Sequence, residues 1–150
     1  MRDITGSLDA TGLKVGVVAA RWNQSITDRL LESAVTRCRE LGADDVTVLH
    51  VPGALEIPVG ARALVEQGCD VIVAIGVVIK GETDHYDIVV SQSTSGVSQL
   101  ALETGVPIGN AILAVHDVAD AVARAGAGEA SKGVEAVDAA VETANAIASL

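Results

Sequence analysis

The stretch "DVIVAIGVVI" (residues 70–79) decides the fold. After Asp70 it holds only uncharged residues, most of them Val and Ile. A continuous apolar run of this length is typical of a strand that is buried on both faces, as in a parallel sheet covered by helices. Hydrophobic residues make up 49% of the chain and aromatic residues only 1%. The core must therefore consist of Val, Ile, Leu and Ala, which suits such strands.

Three further segments have strand character and alternate with helical patterns. The strands are "KVGVVAA" (14–20), "DVTVLHV" (45–51) and "VPIGNAILAV" (106–115), and helices are expected within 23–43, 52–68, 85–104, 116–126 and 131–150. Ser25 and Asp28 form a possible capping box for the first helix, and Gly42 is its expected stop. Strands that alternate with helices predict an α/β fold, a three-layer sandwich with a four-stranded parallel flavodoxin-like sheet flanked by helices.

The length and net charge of the chain limit its domain count and the classes of partner it can bind. The 150 residues suit a single domain spanning 1–150, and the N-terminal dozen residues are expected to be mobile or to pair with a neighbouring subunit. A formal charge of −10 disfavours binding to nucleic acid or to an anionic membrane surface. No signal peptide and no apolar run of the roughly 20 residues that span a bilayer is found. Cys38 and Cys69 lack metal or redox spacing, which predicts reduced thiols, no bound metal and a cytoplasmic location.

Four loops are expected to meet at one edge of the sheet. They are "ARWNQS", "VPGALE", "KGETDH" and "VHD", each following one of the four strands. Ligands of open parallel sheets bind beyond the carboxyl ends of the strands. Because these loops contain the only Trp of the chain and lie close to all three His residues, the edge is the expected ligand site.

The third loop has the glycine spacing of a nucleotide-binding P-loop but not its lysine. Gly76 and Gly81 are separated by four residues, and Glu82-Thr83 follow where Lys-Ser or Lys-Thr is required. Free amides at the following helix N-terminus would suit an anion instead. The alternative is a plain helix cap formed by Thr83. His85, in the first helical turn, is either a proton-transfer group or a structural residue.

Two other residues leave alternatives open. Trp22 is either a stacking platform for a planar ring or a lid over the helix start. Glu56 is either a helix-start acid or a residue that offers its backbone amide to a polar ligand. His50 and His116 are expected to be structural.

With these loops in view, the chain resembles the 6,7-dimethyl-8-ribityllumazine synthase family. The resemblance runs from about Lys14 to Ala148 and rests on "ARWNQSITDRLLESA", "VPGALEIPV", "GVVIKGETDHYD", "PIGNAIL" and "ARAGAGEASKG" in that order. It implies an enzyme that condenses 5-amino-6-(D-ribitylamino)uracil with 3,4-dihydroxy-2-butanone 4-phosphate and needs no cofactor. It also implies a homo-oligomer, a pentamer or a shell of pentamers, with active sites between subunits.

The resemblance assigns roles to individual residues. Trp22, with Asn23 beside it, would stack on the uracil ring, and His85 would transfer protons. Asn110 would come from the neighbouring subunit. The remaining substrate-binding residues are Ala54, Leu55 and Glu56 for the ribityl chain, Val77, Val78 and Ile79 for the ring pocket, Glu82, Thr83 and Arg124 for the phosphate, and Lys132 and Glu135 near that pocket.

Some residues depart from the family pattern. Asp84 stands where proline is frequent, "LAVHD" (113–117) replaces a Leu-Thr-Thr-rich segment, and Asn110 replaces a frequent phenylalanine. Asp84 and the 113–117 segment are the only support for a rival interpretation, a lumazine- or flavin-binding or shell-forming protein that does not turn over substrate. A polar helix face with Ser91, Ser95, Ser98 and Gln99 is either a subunit contact or a solvated surface. The short segment between Arg124 and Lys132 favours a shell.

Overall fold

The computed structural model describes residues 1–126 and 130–150, and they form the predicted α/β sandwich. Its four strands are parallel, in the order β2-β1-β3-β4. The strands are β1 (Lys14–Ala20), β2 (Asp45–Val51), β3 (Val71–Ile79) and β4 (Ile108–Val115). The helices are α1 (Gln24–Glu40), α2 (Ile57–Glu66), α3 (His85–Thr104), α4 (Val118–Arg124) and α5 (Lys132–Ala148), with a 3₁₀ turn at Ala54–Glu56 before α2.

The quoted stretch is an interior strand, as its composition predicted. β3 pairs with β1 on one side and β4 on the other, and its residues are buried except for the half-buried Ile79. β2, an edge strand, alternates instead between exposed and half-buried residues. A strand that is covered on both faces has no position for a polar side chain, which explains the uniform run.

Helices cover the two faces of the sheet in separate layers. Alternate β3 residues point to opposite sides: Val73 packs with α1, α4 and α5, whereas Ile72 packs with α2 and α3. Gly109 of β4 lies directly against the carbonyl of Ala136 in α5, where a Cβ atom would collide. That contact brings the α5 backbone onto the sheet, so α5 belongs firmly to the α1 side.

Helix ends confirm one predicted signal and contradict another. Gly42 ends α1 in the left-handed region (φ 94°) and donates its N–H to the carbonyl of Arg39. The predicted capping box of Ser25 and Asp28 is wrong, because the helix begins at Gln24 and its cap position, Asn23, makes no side-chain capping bond. A left-handed Asn23 (φ 64°) turns the chain into the helix two residues before Ser25.

The N-terminal segment packs against the C-terminal half of α5. The guanidinium of Arg2 donates to the carbonyls of Ser149 (2.9 Å) and Leu150 (3.1 Å). The Asn145 amide donates to the carbonyls of Ser7 and Asp9, both at 2.8 Å. The segment thus has partners within its own chain, and its pairing with a neighbouring subunit stays a prediction.

Both cysteines are buried and free. Burial raises the pKa of the Cys38 thiol to about 11, so the reactive thiolate is scarce at neutral pH. Among the described helices, none is long and apolar enough to cross a membrane.

Candidate active site

The loops after β1 and β2 are joined by backbone hydrogen bonds. The N–H of Arg21 donates to the carbonyls of Val51 (2.8 Å) and Pro52 (3.1 Å), and the N–H of Trp22 donates to that of Pro52 (3.0 Å). Two of the four predicted loops therefore form one continuous surface at the carboxyl ends of the strands.

Trp22 lies across Gly53 on this surface. A Cβ atom at Gly53 would stand 2.4 Å from Cε3 of the indole, so only glycine lets the ring settle there. The Trp22 side chain is nonetheless 63% exposed. A ring with backbone on one side and open space on the other suits stacking on a planar ligand better than it suits a lid.

Asn23 connects the first loop to the central strand. Its side-chain Nδ2 donates to the carbonyl of Val77 at 3.1 Å, and its backbone lies in the left-handed region. A non-glycine residue in that region is uncommon and is concentrated at sites where surrounding contacts hold it. Asn23 therefore fixes Trp22 relative to the end of β3.

The 3₁₀ turn places an unpaired carboxylate oxygen in the same area. Glu56 Oε2 is buried and has no hydrogen-bond partner among the described residues. Buried acceptors are almost always paired, so this oxygen is a candidate acceptor for a ligand. The backbone N–H of Glu56 already donates to Gly53 (3.2 Å), which favours the side chain as the group that meets a ligand. Ala54 is buried, whereas Leu55 is 46% exposed.

The third loop has free backbone donors. Residues 81–85 are exposed, and the N–H groups of Glu82 and Thr83 donate to no group that the structure describes. The helix begins at His85, with Asp84 rather than Thr83 at the cap position. The Thr83 hydroxyl still accepts from the N–H of His85, at 3.4 Å. Unpaired amides beside the positive end of α3 form an anion-binding arrangement.

The fourth loop lies beside the third at the same edge of the sheet. The N–H of Lys80 donates to the carbonyl of Val115 (2.9 Å), so the ends of β3 and β4 are joined. The rings of Tyr86 and His116 then meet at 6.4 Å between centroids and 80° between planes. The prediction that the four loops converge is confirmed. Sequence reasoning missed this ring contact. Its only signal was that Tyr86 and His116 both carry a ring in a chain with 1% aromatic residues and three His.

The predicted site residues fall into two sets. The first lies along this edge and is called the edge set: Trp22, Asn23, Ala54, Leu55, Glu56, Val77, Val78, Ile79, Glu82, Thr83 and His85. The second, called the outlying set, lies elsewhere: Asn110, Arg124, Lys132 and Glu135.

The outlying set lies on α4, on α5 and within β4, and not in the four loops. Lys132 and Glu135 belong to α5 and Arg124 to α4, both on the α1 side, whereas α2 and α3 cover the opposite face. Asn110 pairs with Ala74 in the middle of the sheet. It lies five residues, about 16 Å, before the end of β4 at Val115. These four side chains therefore lie outside the four loops that form the edge.

Each member of the outlying set already has a partner within the chain. The ammonium of Lys132 contacts Glu135 Oε2 at 2.8 Å, and the Arg124 guanidinium donates to the carbonyl of Asp120 at 3.0 Å. Asn110 Oδ1 accepts from the N–H of Ile112 at 2.9 Å. These side chains are exposed or half-exposed, so their pairing is weak enough for a ligand to compete.

Part of one predicted motif lies outside the described residues. In "ARAGAGEASKG", residues 127–129 are not described, and they are three of the seven residues in the short segment whose length favoured a shell. Within the described part of the chain, no group of three or more His, Cys, Asp or Glu residues is arranged to hold a metal.

Comparison with known proteins agrees with this geometry. The family described as 6,7-dimethyl-8-ribityllumazine synthase matches residues 12–148. Three proteins that carry this name are similar to the chain. The one from Kineococcus radiotolerans is 46% identical over 93% of this chain and 88% of its own. The one from Streptomyces avermitilis is 44% identical over 92% of this chain and 87% of its own. The one from Bdellovibrio bacteriovorus is 45% identical over 87% of this chain and 73% of its own. The chain therefore belongs to the 6,7-dimethyl-8-ribityllumazine synthase family.

Proposed function

We propose that the protein is a transferase that condenses 5-amino-6-(D-ribitylamino)uracil with 3,4-dihydroxy-2-butanone 4-phosphate. The products are 6,7-dimethyl-8-ribityllumazine, phosphate and water, in the penultimate step of riboflavin biosynthesis. The observation that carries the proposal is the row of loops in which an open Trp22 face, an unpaired Glu56 oxygen and the amides before His85 lie at one edge.

The uracil substrate occupies the part of the edge formed by the first two loops. Its planar ring stacks on the free face of Trp22, with the end of β3 from Val77 to Ile79 beside it. Glu56 Oε2 accepts a hydrogen bond from a hydroxyl of the ribityl chain, next to Ala54 and Leu55. Pairing a buried acceptor in this way contributes roughly 1–3 kcal/mol to the preference for a polyol over a deoxy analogue.

The phosphate of the second substrate binds at the third loop. The amides of Glu82 and Thr83 point their hydrogens to it, and the dipole of α3 adds about 0.3–1 kcal/mol. That contribution is too small for tight binding, and Arg124 supplies the missing cation. Asp84 is exposed beside this loop and opposes the phosphate by like charge, which Arg124 offsets.

His85 moves the protons of the reaction. The amine of the uracil attacks the butanone carbonyl and loses water to form an imine. Elimination then expels the phosphate, and ring closure with loss of a second water gives the lumazine. Each step transfers a proton near neutral pH, which an imidazole in the first turn of α3 performs as general base and then general acid. No electrons enter or leave, so the balance requires no redox partner.

The two sets of site residues meet across a subunit boundary. Because Arg124, Lys132, Glu135 and Asn110 lie outside the four loops of the edge set, a second copy presents them in this proposal. Residues 1–150 act as a single domain in a homo-oligomer, a pentamer or a shell of pentamers. A cytoplasmic location, where both thiols stay reduced, completes the proposal.

Product formation tests the proposal directly. The purified protein is mixed with both substrates, and lumazine fluorescence is followed against the uncatalysed reaction. We expect acceleration, and a rate lower by about 10²–10⁴-fold in His85→Ala, the usual range for acid–base catalysis. Substrate binding should survive in that variant, because Trp22 and Glu56 are intact. Binding without acceleration in the unmodified protein would instead support a lumazine- or flavin-binding or shell-forming protein.

A further inference from the structure

The start of α3 is held weakly by its own sequence. Its cap residue, Asp84, makes no side-chain bond to the helix. Among the residues that the structure describes, the only side chain that bonds a first-turn amide is Thr83, whose Oγ1 accepts from the N–H of His85 at a long 3.4 Å. Residues 81–85 are exposed. Helix ends without caps fray, so His85 and the amides before it need support from outside the helix.

Tyr86 supplies that support on one side. It is half-buried and packs against the apolar cluster between the sheet and the α2–α3 layer. As the residue after His85, it is the first side chain of α3 that reaches the core. Its placement therefore determines where the His85 side chain leaves the helix.

The other side of Tyr86 meets His116. The two rings make an edge-to-face contact, 6.4 Å between centroids and 80° between planes. His116 follows Val115, whose carbonyl receives the N–H of Lys80 at 2.9 Å. The His116 ring is thus attached to the rigid end of the β3–β4 pair, close to the segment that precedes α3.

We infer that His116 is a positioning residue for His85, acting through Tyr86. The inference rests on the proposed function. In edge-to-face packing the ring, and not a proton, is what His116 contributes. The segment 113–117, which departs from the family pattern, thereby serves the site instead of weakening it.

The test separates ring packing from other effects. His116→Ala removes the ring, His116→Phe keeps one, and His50→Ala is the matched control, because His50 is an exposed histidine on the edge strand β2. We expect His116→Ala to lower kcat by about 3- to 10-fold, the range of an aromatic pair contact. The KM for the uracil should change less than about twofold, because Trp22 and Glu56 lie on other loops. His116→Phe should restore kcat.

A double-mutant cycle with Tyr86→Leu gives the second readout. If His116 acts through Tyr86, the combined loss in kcat is smaller than the product of the single losses. A kcat for His116→Ala within twofold of the unmodified protein overturns the inference, as does failure of His116→Phe to rescue or independent effects in the cycle. If His116→Ala does not fold, His116→Leu replaces it. Absence of product from the unmodified protein would refute the proposed function itself, a distinguishable result.

Discussion

The edge set and the outlying set differ in how complete each is within one chain. At the edge, Trp22 presents an open ring face, Glu56 Oε2 lacks a partner, and the amides before His85 are free among the described groups. In the outlying set, Lys132 is paired with Glu135 and Arg124 with Asp120. The edge is unsatisfied and the outlying residues are paired.

This difference follows from the order of the strands and helices in the fold. Loops that follow adjacent parallel strands must meet, so the chain assembles the edge set by topology alone. α4 begins at Val118, directly after the fourth loop, but Arg124 lies at its far end, and α5 packs beside α1 on one face of the sheet. We therefore propose that a site that needs both sets is completed by association of two chains.

The largest effect that sharpens the comparison comes from Arg124→Met. Loss of a charge-assisted contact should raise the KM for the phosphate substrate by about 10- to 150-fold. Steady-state kinetics measure it. Arg62→Met is the control, since Arg62 makes a similar exposed helical pair with Glu66 at 3.1 Å. Equal effects of the two substitutions would show that Arg124 has no special role.

A smaller effect is expected at the edge itself, from Gly53→Ala. The new methyl group would overlap the indole ring and displace Trp22. We expect the KM for the uracil to rise about 10-fold, within the range for one stacking contact, with a shifted emission of the only Trp. Gly126→Ala is the control, because among the described residues its added methyl group meets only ordinary contacts at 3.8 Å and beyond. An unshifted emission would contradict the described stacking of Trp22 on Gly53.

Two substitutions at Asn23 separate the effect of its backbone conformation from the effect of its side-chain hydrogen bond. Asn23→Ala loses the bond to Val77 and strains the left-handed backbone, so the free energy of unfolding should fall by about 1–2 kcal/mol. Asn23→Gly loses only the bond and should cost less. Denaturant titration measures both. If glycine were the more damaging of the two, backbone strain would not be the deciding factor at this position.

The smallest effect is expected within the layer that carries the outlying set. Arg37 of α1 binds Asp138 of α5 through two nitrogens, at 2.7 and 3.2 Å. Both side chains are about a quarter exposed, so Arg37→Met should lower the free energy of unfolding by about 1 kcal/mol or less. Thermal unfolding measures this loss, and the KM values should not change. A changed KM for the phosphate substrate would show that substrate binding depends on the position of α5.

The sequence predicted most of the fold because the strand signals are uniform. The runs 14–20 and 45–51 coincide with β1 and β2, and β3 lacks only Asp70 of the predicted stretch. The capping box failed for a local reason. Side-chain capping patterns compete with backbone geometry, and a left-handed Asn23 starts α1 earlier than Ser25. Residue types alone do not show which of two start signals the chain adopts.

The site was predictable where chain order determines position. Loops after adjacent strands were expected to converge, and they do. The orientation of Glu56 and the contact between Tyr86 and His116 were not predictable, because both depend on side-chain geometry between distant segments. The roles of individual residues remain predictions for the experiments above.

Subunit complementation tests most directly the claim that the two sets meet between chains. His85→Ala and Arg124→Ala are each purified, then unfolded together and reassembled as mixed oligomers. Activity is measured with the phosphate substrate at a limiting concentration, at which both separate variants have little activity. If each site draws His85 from one chain and Arg124 from another, random mixing restores about a quarter of the sites. We predict recovery of activity toward that level. Mixed oligomers that remain as inactive as the separate variants would contradict the account, because both residues would then act within one chain.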